Sequence, residues 1–215
     1  MIRSIRHRLA RLDDDRGFSL VEVVVAIVIV GILGLSAAYL SIGGTQASAS
    51  QQRINLATTV AAQTMEEVIS RTPTVTPTTG RTALVTGRSQ TAITAAWGSL
   101  ADGAVLAGTY PLHDPTATAA STPTLPITQT VTLDGTRFEV TTLVGSCYQS
   151  GNGQCRRITG VTNRPATPPT GTLEQIRAIV VVKWVQSAGC PTTGCVYEAV
   201  TLIDTNGDLL WVSNG

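Results

Sequence analysis

The 215 residues of this chain predict an α+β fold, in which one long N-terminal helix packs on an antiparallel sheet. Three observations point there. An apolar run near the start passes, without a proline, into a stretch with helical periodicity. All ten prolines lie after residue 72. Beyond that point β-branched runs alternate with turn signals.

The helix comes first in the chain. Residues 1–16 hold Arg3, Arg6, Arg8, Arg11 and Arg16 against Asp13, Asp14 and Asp15, a side-chain charge of +2. From Gly17 to Gln52 the only charged side chain is Glu22. Phe18 to Ile42 is a 25-residue apolar segment. As a helix it spans roughly 37 Å at about 1.5 Å per residue, more than the ~30 Å of a bilayer's hydrocarbon core. Lipid leaves no partner for an open backbone, so the segment is expected to be helical despite its Val and Ile content. Its arginines precede it and no base follows until Arg53, which places the N-terminus in the cytoplasm and the bulk of the chain outside. A cleaved secretory signal is a competing reading, because Ala47-Ser48-Ala49 has the A-x-A form. The apolar run, however, is longer than the about 7–15 residues of such signals. A plain single-pass anchor leaves Glu22 unexplained, since a lone acid at depth costs about 2.5–3.5 kcal/mol on insertion scales.

Gly17-Phe18-Ser19-Leu20-Val21-Glu22, with a short basic leader before it and an apolar run after it, resembles the class III signal of type IV prepilins. The resemblance implies cleavage by a prepilin peptidase between Gly17 and Phe18, on the cytoplasmic side, and N-methylation of Phe18. It implies that the apolar segment stays on the mature protein, and that Glu22 sets register and recruits the subunit into a filament. The physics is compatible. Cleavage creates an ammonium at Phe18, one helical turn before Glu22, and a carboxylate in the first turn is favoured by the helix dipole and the unpaired N–H groups. In a bundle, Glu22 can meet a neighbour's ammonium, which offsets its desolvation. The bland alternative is that Glu22 sits near the lipid headgroups. Removing the leader takes away five of 15 bases and three of 14 acids, so 10 remain against 11 and the formal charge moves from +1 to −1.

Past the membrane segment, Thr45 to Arg71 has no proline, and Ile54, Ala57, Ala61, Met65 and Val68 recur on one helical face. Pro73 predicts an end near Arg71-Thr72. Gly31, Gly34, Gly43 and Gly44 are weak points, about 1 kcal/mol each against Ala in a soluble helix, although small residues in membranes favour close helix packing. By resemblance, a local loss of helix in the filament falls near Gly31–Gly34. The stretch Leu56 to Val68 is also similar to the glutamate-ended helix of PilV-like minor pilins and their type II secretion counterparts. An ordinary amphipathic helix reads the same way.

The organisation is then a leader at 1–17, a transmembrane and filament-core helix at 18–42, its amphipathic continuation at 43–72, and an exported β-rich domain at 73–215. Thr/Pro-rich loops are expected at Thr72–Gly80, Pro111–Pro126 and Arg164–Thr172. Ile127–Leu133 and Thr136–Val144 flank Asp134-Gly135, a hairpin signal. Ile176–Val185 is a β-branched run, and its Val180-Val181-Val182-Lys183-Trp184 again resembles PilV-like proteins. Val196–Ile203 and Asp208–Val212 flank a turn at Asp204–Gly207, which predicts a second hairpin. Further strands are expected at Thr82–Thr86 and Ala104–Tyr110. Helix plus sheet is the pilin-like arrangement.

Cys147, Cys155, Cys190 and Cys195 fall in the exported portion and allow three pairings. Local pairing, Cys147 with Cys155 and Cys190 with Cys195, is the expected one, each short bridge contributing about 2–3 kcal/mol on the entropy account. A zinc site from all four is disfavoured by the oxidising compartment. Asp204-Thr205-Asn206-Gly207-Asp208 mimics the start of a calcium loop, but its glycine has the wrong offset. His113 has Asp114 beside it and no nucleophile motif, and neither G-x-S-x-G nor a P-loop occurs. Charged residues make up 13% of the chain, too few for a large basic nucleic-acid surface. The resemblance implies a non-enzymatic minor pilin without cofactor or metal. Its partners are the prepilin peptidase, other pilin subunits, the assembly machinery, and the lipid bilayer before assembly. It implies a single-pass inner-membrane location and then a surface filament. A minor pseudopilin of a type II secretion or competence machine shares the motif, and an anchored or secreted surface-binding domain is the reading from a different class.

Overall fold

The computed structural model describes residues 19–71, 83–100, 104–151, 153–185, 190–191 and 193–204. The chain divides into two compact units, Met1–Ala49 and Ser50–Gly215. Helix α1 runs Leu20–Ser70. It ends as Pro73 requires: the Arg71 N–H donates to the carbonyls of Glu67 and Val68 at 3.2 Å each, and its guanidinium pairs with Glu67 at 2.7 Å. The helix is continuous through Gly31 and Gly34.

In the second unit the elements that follow are a helical turn at 83–85, α2 (Gln90–Ser99) and α3 (Ala104–Ala107). Then come β1 (Tyr110–Pro111), β2 (Thr128–Leu133), β3 (Thr136–Ser150), β4 (Thr172–Trp184) and β5 (Cys195–Asp204). They form one antiparallel sheet, ordered β1-β3-β4-β5, with β2 also on β3. The long strand β3 organises it. One edge pairs with β4 over Phe138–Ser150, while the other serves β2 over Thr136–Thr141 and then β1 at Gly145–Ser146.

Between those two short partners β3 has backbone groups that no strand covers, and the chain satisfies them singly. The Thr142 N–H donates to the Ile127 carbonyl at 2.8 Å, and the Leu112 N–H donates to the Val144 carbonyl at 3.0 Å. The Thr142 carbonyl accepts from the Nη2 of Arg88, a fully buried side chain whose pKa is lowered to about 10 by burial. Close approach matters where β1 crosses. A Cβ on Gly145 would lie 2.6 Å from the Tyr110 carbonyl oxygen, so only glycine fits.

The sheet is covered on both faces. Phe138, Val140, Val180, Val182 and Trp184 pack against Ala57, Val60 and Ala61 of α1. Val144, Ile176 and Ala178 continue that layer with Val68, Leu84 and Leu125. On the opposite face, Leu143, Ile179 and Val181 meet Ala96, Leu100 and Leu106. Double coverage explains why β3 is buried without a break from Val140 to Tyr148 and why β4 carries the apolar run Ala178–Val182 in place of alternation. The hairpin forms at Asp134-Gly135, with φ of +48° and +70°, both positive as a two-residue primed turn requires. The Gln52 amide of α1 donates to Asp134 at 2.7 Å and holds the hairpin tip.

Several expectations need correction. Strands were expected at Thr82–Thr86 and Ala104–Tyr110; instead 83–85 is a helical turn, Ala104–Ala107 is α3, and only Tyr110 joins a strand. In the first, a turn closed by the Arg88 N–H on the Val85 carbonyl accompanies burial of Leu84, and strand propensity loses to packing. In the second, the alanines of a short Ala-Val-Leu-Ala segment favour helix. The buried α1 stripe is Ala57, Val60, Ala61, Thr64 and Val68 with Met65 packed beside it, whereas Ile54 is exposed because the apolar contacts with the sheet begin at Leu56. Helix α2 was not anticipated. Its signal is an Ala-rich segment behind Ser89, whose hydroxyl accepts from the Ala92 N–H at 3.3 Å. The expected loop at Thr72–Gly80 and strand at Asp208–Val212 lie outside the described residues.

Ala61 is fully buried under the sheet and Ala62 beside it is exposed. Ala61→Leu should therefore lower stability by about 1–3 kcal/mol through overpacking, and Ala62→Leu should be near neutral. Equal urea midpoints for the two variants would contradict the helix-on-sheet contact.

Candidate functional site

Of the residues singled out at the head of the chain, Ser19, Leu20 and Glu22 lie at the start of α1. Ser19 is the last non-helical residue and Leu20 the first helical one. The Ser19 carbonyl accepts from the N–H of Glu22 at 2.9 Å and of Val23 at 3.2 Å, so Ser19 is the helix N-cap. Glu22 is the acidic residue of the first turn. Ser19-Leu20-Val21-Glu22 also has the S-x-x-E spacing of a capping box, a local signal that sequence reading missed. The bonds observed use the serine's backbone oxygen. Gly17 and Phe18 lie outside the described residues.

Ser19, Leu20 and Glu22 are all exposed, and among the described residues Glu22 has no ion pair. The side chains after it are aliphatic and equally exposed, with Leu20, Ile27, Val30, Leu35 and Leu40 each more than two-thirds accessible. The helix is long and apolar enough to cross a membrane, and none of its most apolar 18-residue window is buried. Gly31, Gly34, Gly43 and Gly44 have nothing within 4 Å of where a Cβ would stand. No contact among the described residues therefore requires those glycines.

This arrangement performs no bond chemistry by itself. It offers one acceptor carboxylate, at the helix end where the backbone N–H groups favour negative charge. Around it is an apolar surface too large for water.

The other predicted residues lie elsewhere. Cys147 of β3 is bridged to Cys155, with Cα atoms 5.3 Å apart, and Cys190 to Cys195 of β5, 5.0 Å apart. Both separations lie in the ordinary disulfide range. The first bridge ties down a loop whose Arg156 exchanges two backbone hydrogen bonds with Tyr148, at 2.9 and 3.0 Å. Among the described residues no group of three or more His, Cys, Asp or Glu could hold a metal ion. His113 is half-buried in the loop after β1. Its neighbour Asp114 serves structure: its carboxylate accepts from the Gly87 N–H at 2.9 Å and from the Thr116 hydroxyl and N–H at 2.6 and 2.9 Å. The Thr116 hydroxyl bond is the largest cause that holds its pKa below the usual value. Asp204 ends β5, and the rest of the calcium-like turn lies outside the described residues.

Residues 13–38 match a family model described as the prokaryotic N-terminal methylation motif, which supports a type IV pilin- or pseudopilin-like protein. No curated protein and no solved structure matches the chain.

A helix of this kind should hold the chain in membranes through an alkaline carbonate wash. Release of the full-length chain into the supernatant would rule out a spanning α1.

Proposed function

We propose that the chain is a minor pilin: a non-enzymatic, membrane-anchored subunit that primes or decorates a type IV pilus-like filament. In this reading the prepilin peptidase cuts between Gly17 and Phe18 and the Phe18 amine is methylated. The observation that carries it is Glu22, the lone charge in the first turn of an exposed apolar helix, inside the matched motif.

Before assembly, residues 18–42 lie in the bilayer with the exported domain outside. Glu22 then has no partner from its own chain beyond the helix end and, after cleavage, the new amine at Phe18. Docking against sister subunits gives the carboxylate a second ammonium in a medium of low dielectric, where a charge pair is stronger than in water. Binding through that pair fixes the axial position of each subunit, because a shift of one turn would leave both charges unpaired. The open space around Gly31, Gly34, Gly43 and Gly44 is compatible with close approach by neighbouring helices. The size of the sheet domain and its long loops favour a subunit used in few copies over one repeated along the whole filament.

Mass spectrometry of the native protein should show N-methyl-Phe18 as its first residue. A terminus at Met1, or one at Ser50 with the protein free in the medium, would sink the reading. Glu22→Ala should leave cleavage intact and reduce incorporation into filaments at least tenfold, scored by immunoblot of sheared filaments against membranes. Unchanged incorporation would remove the role assigned to Glu22. Gly17→Ala should still be cleaved while Gly17→Leu accumulates as precursor, because a bulky side chain blocks approach to the bond. Equal processing of the two would contradict a glycine requirement.

A further inference from the structure

Strand β5 ends the sheet. It pairs with β4 along its whole length, from Cys195 opposite Trp184 to Asp204 opposite Gln175. Among the described residues no strand lies on its other side. Cys195, Tyr197, Ala199 and Ile203 pack into the layer that includes α1. Val196, Glu198, Val200 and Leu202 therefore form a row on the opposite face. All four are exposed, the three apolar ones by 55%, 42% and 43%. Their neighbours across the register, Val181 and Ile179 of β4, are buried against Ala96, Leu100 and Leu106. The cover on that face thus stops one strand short of the edge.

An uncovered edge of this kind is a template for a further strand. From Cys195 to Ile203 it has no proline, no break in register and one charged residue, Glu198. The residues that follow match it. Residues 205–215, outside the described set, read TNGDLLWVSNG. Asn206-Gly207 is a dipeptide that accepts positive φ at both central positions of a two-residue primed turn. The sheet already contains such a turn at Asp134-Gly135, where Leu133 stands directly opposite Thr136. Asp208 to Val212 extends about 17 Å as a strand, against about 20 Å from Val196 to Leu202. Leu209, Leu210, Trp211 and Val212 are all apolar, so both faces of such a strand have something to bury.

We propose that the open edge of β5 is the docking site of the chain's own segment Asp208–Val212, which folds back on it as a further antiparallel strand. With Asn206-Gly207 at the centre of the turn, Thr205 faces Asp208. Ile203 then faces Leu210, Leu202 faces Trp211 and Thr201 faces Val212. Residues directly opposite share a face of the sheet. Trp211 stands beside Leu202, with Val200 on its diagonal, and covers the exposed apolar row. Leu210 and Val212 join Ile203 and Thr201 on the α1 side. A slip of one residue would exchange the two sets and leave the row bare. A second copy of the chain is the weaker occupant. The tail is tethered by a short turn, at an effective concentration on the order of millimolar, whereas a separate chain also loses translational and rotational freedom. Closed in this way, β5 is withheld from pairing with strands of other chains.

Amide-resolved hydrogen exchange on the full chain in detergent micelles tests this. The β5 amides that point away from β4 should be protected, and equally so over a wide range of protein concentration. In a variant stopped after Asp204 they should exchange at least tenfold faster, while the β3 and β4 amides keep their protection. Gly207→Val strains the turn in a chain of full length. It should speed the same amides severalfold, and it decides the matter if the shortened chain does not fold. Unprotected outer amides in the full chain, or protection unchanged in both variants, would overturn the proposal. Protection that fades on dilution would overturn it too, by assigning the edge to a second copy.

Discussion

A carboxylate at the head of an aliphatic helix is the constraint on which the first unit turns. Glu22 is the only charged side chain between Gly17 and Gln52, and among the described residues nothing covers the side chains following it. Water is a poor solvent for the aliphatic surface and hydrocarbon is a poor solvent for the acid. A bilayer suits the first and leaves the second with the helix N-terminus, whose unpaired N–H groups and dipole contribute on the order of 1 kcal/mol. A protein environment that covers the aliphatic surface and brings a positive group to the acid suits both. The structure of the first unit is therefore incomplete as a single chain in either solvent.

The second unit has the opposite character. Within it α1 is amphipathic and buries a stripe of small residues, Ala57, Val60, Ala61 and Thr64, so that helix and sheet approach closely. Strands β3 and β4 carry apolar side chains on both faces, with α1 on one side and α2 and α3 on the other. What the sheet lacks in strand length is supplied by single groups. Arg88 reaches in to the Thr142 carbonyl at the place where β2 has ended and β1 has not begun. A buried guanidinium in that position costs desolvation, and it still avoids an orphaned backbone acceptor in the interior. The two disulfides fasten loops to strands, Cys155 to Cys147 within β3 and Cys190 to Cys195 at the start of β5.

How legible this was in the sequence depended on the range of the interactions. The long helix was readable because its cause is local: no proline, one apolar stripe, and a proline to end it. The hairpin at Asp134-Gly135 was readable because positive φ at two successive residues is demanded by the turn and supplied by those residue types. The motif around Glu22 was readable through its resemblance to the class III prepilin signal, while the serine that caps the helix was passed over although its partner stands three residues on. The segment at 83–85 misled because burial of Leu84 overrides its strand propensity, and Ala104–Ala107 misled because its alanines favour helix. The meeting of Arg157 and Arg177 at Thr109 was not legible at all, because one stands on a disulfide loop and the other on β4, and they approach only in the folded sheet.

Ser19 has a consequence of its own. The cap of α1 lies downstream of the Gly17–Phe18 bond, and the first hydrogen bonds of the helix close onto its carbonyl. Those first bonds draw on no atom before Ser19. A chain severed at that bond would lose five arginines and gain an amine, yet begin its coil at the same residue. Trimming there would reset the electrical polarity of the terminus and leave those first bonds in place.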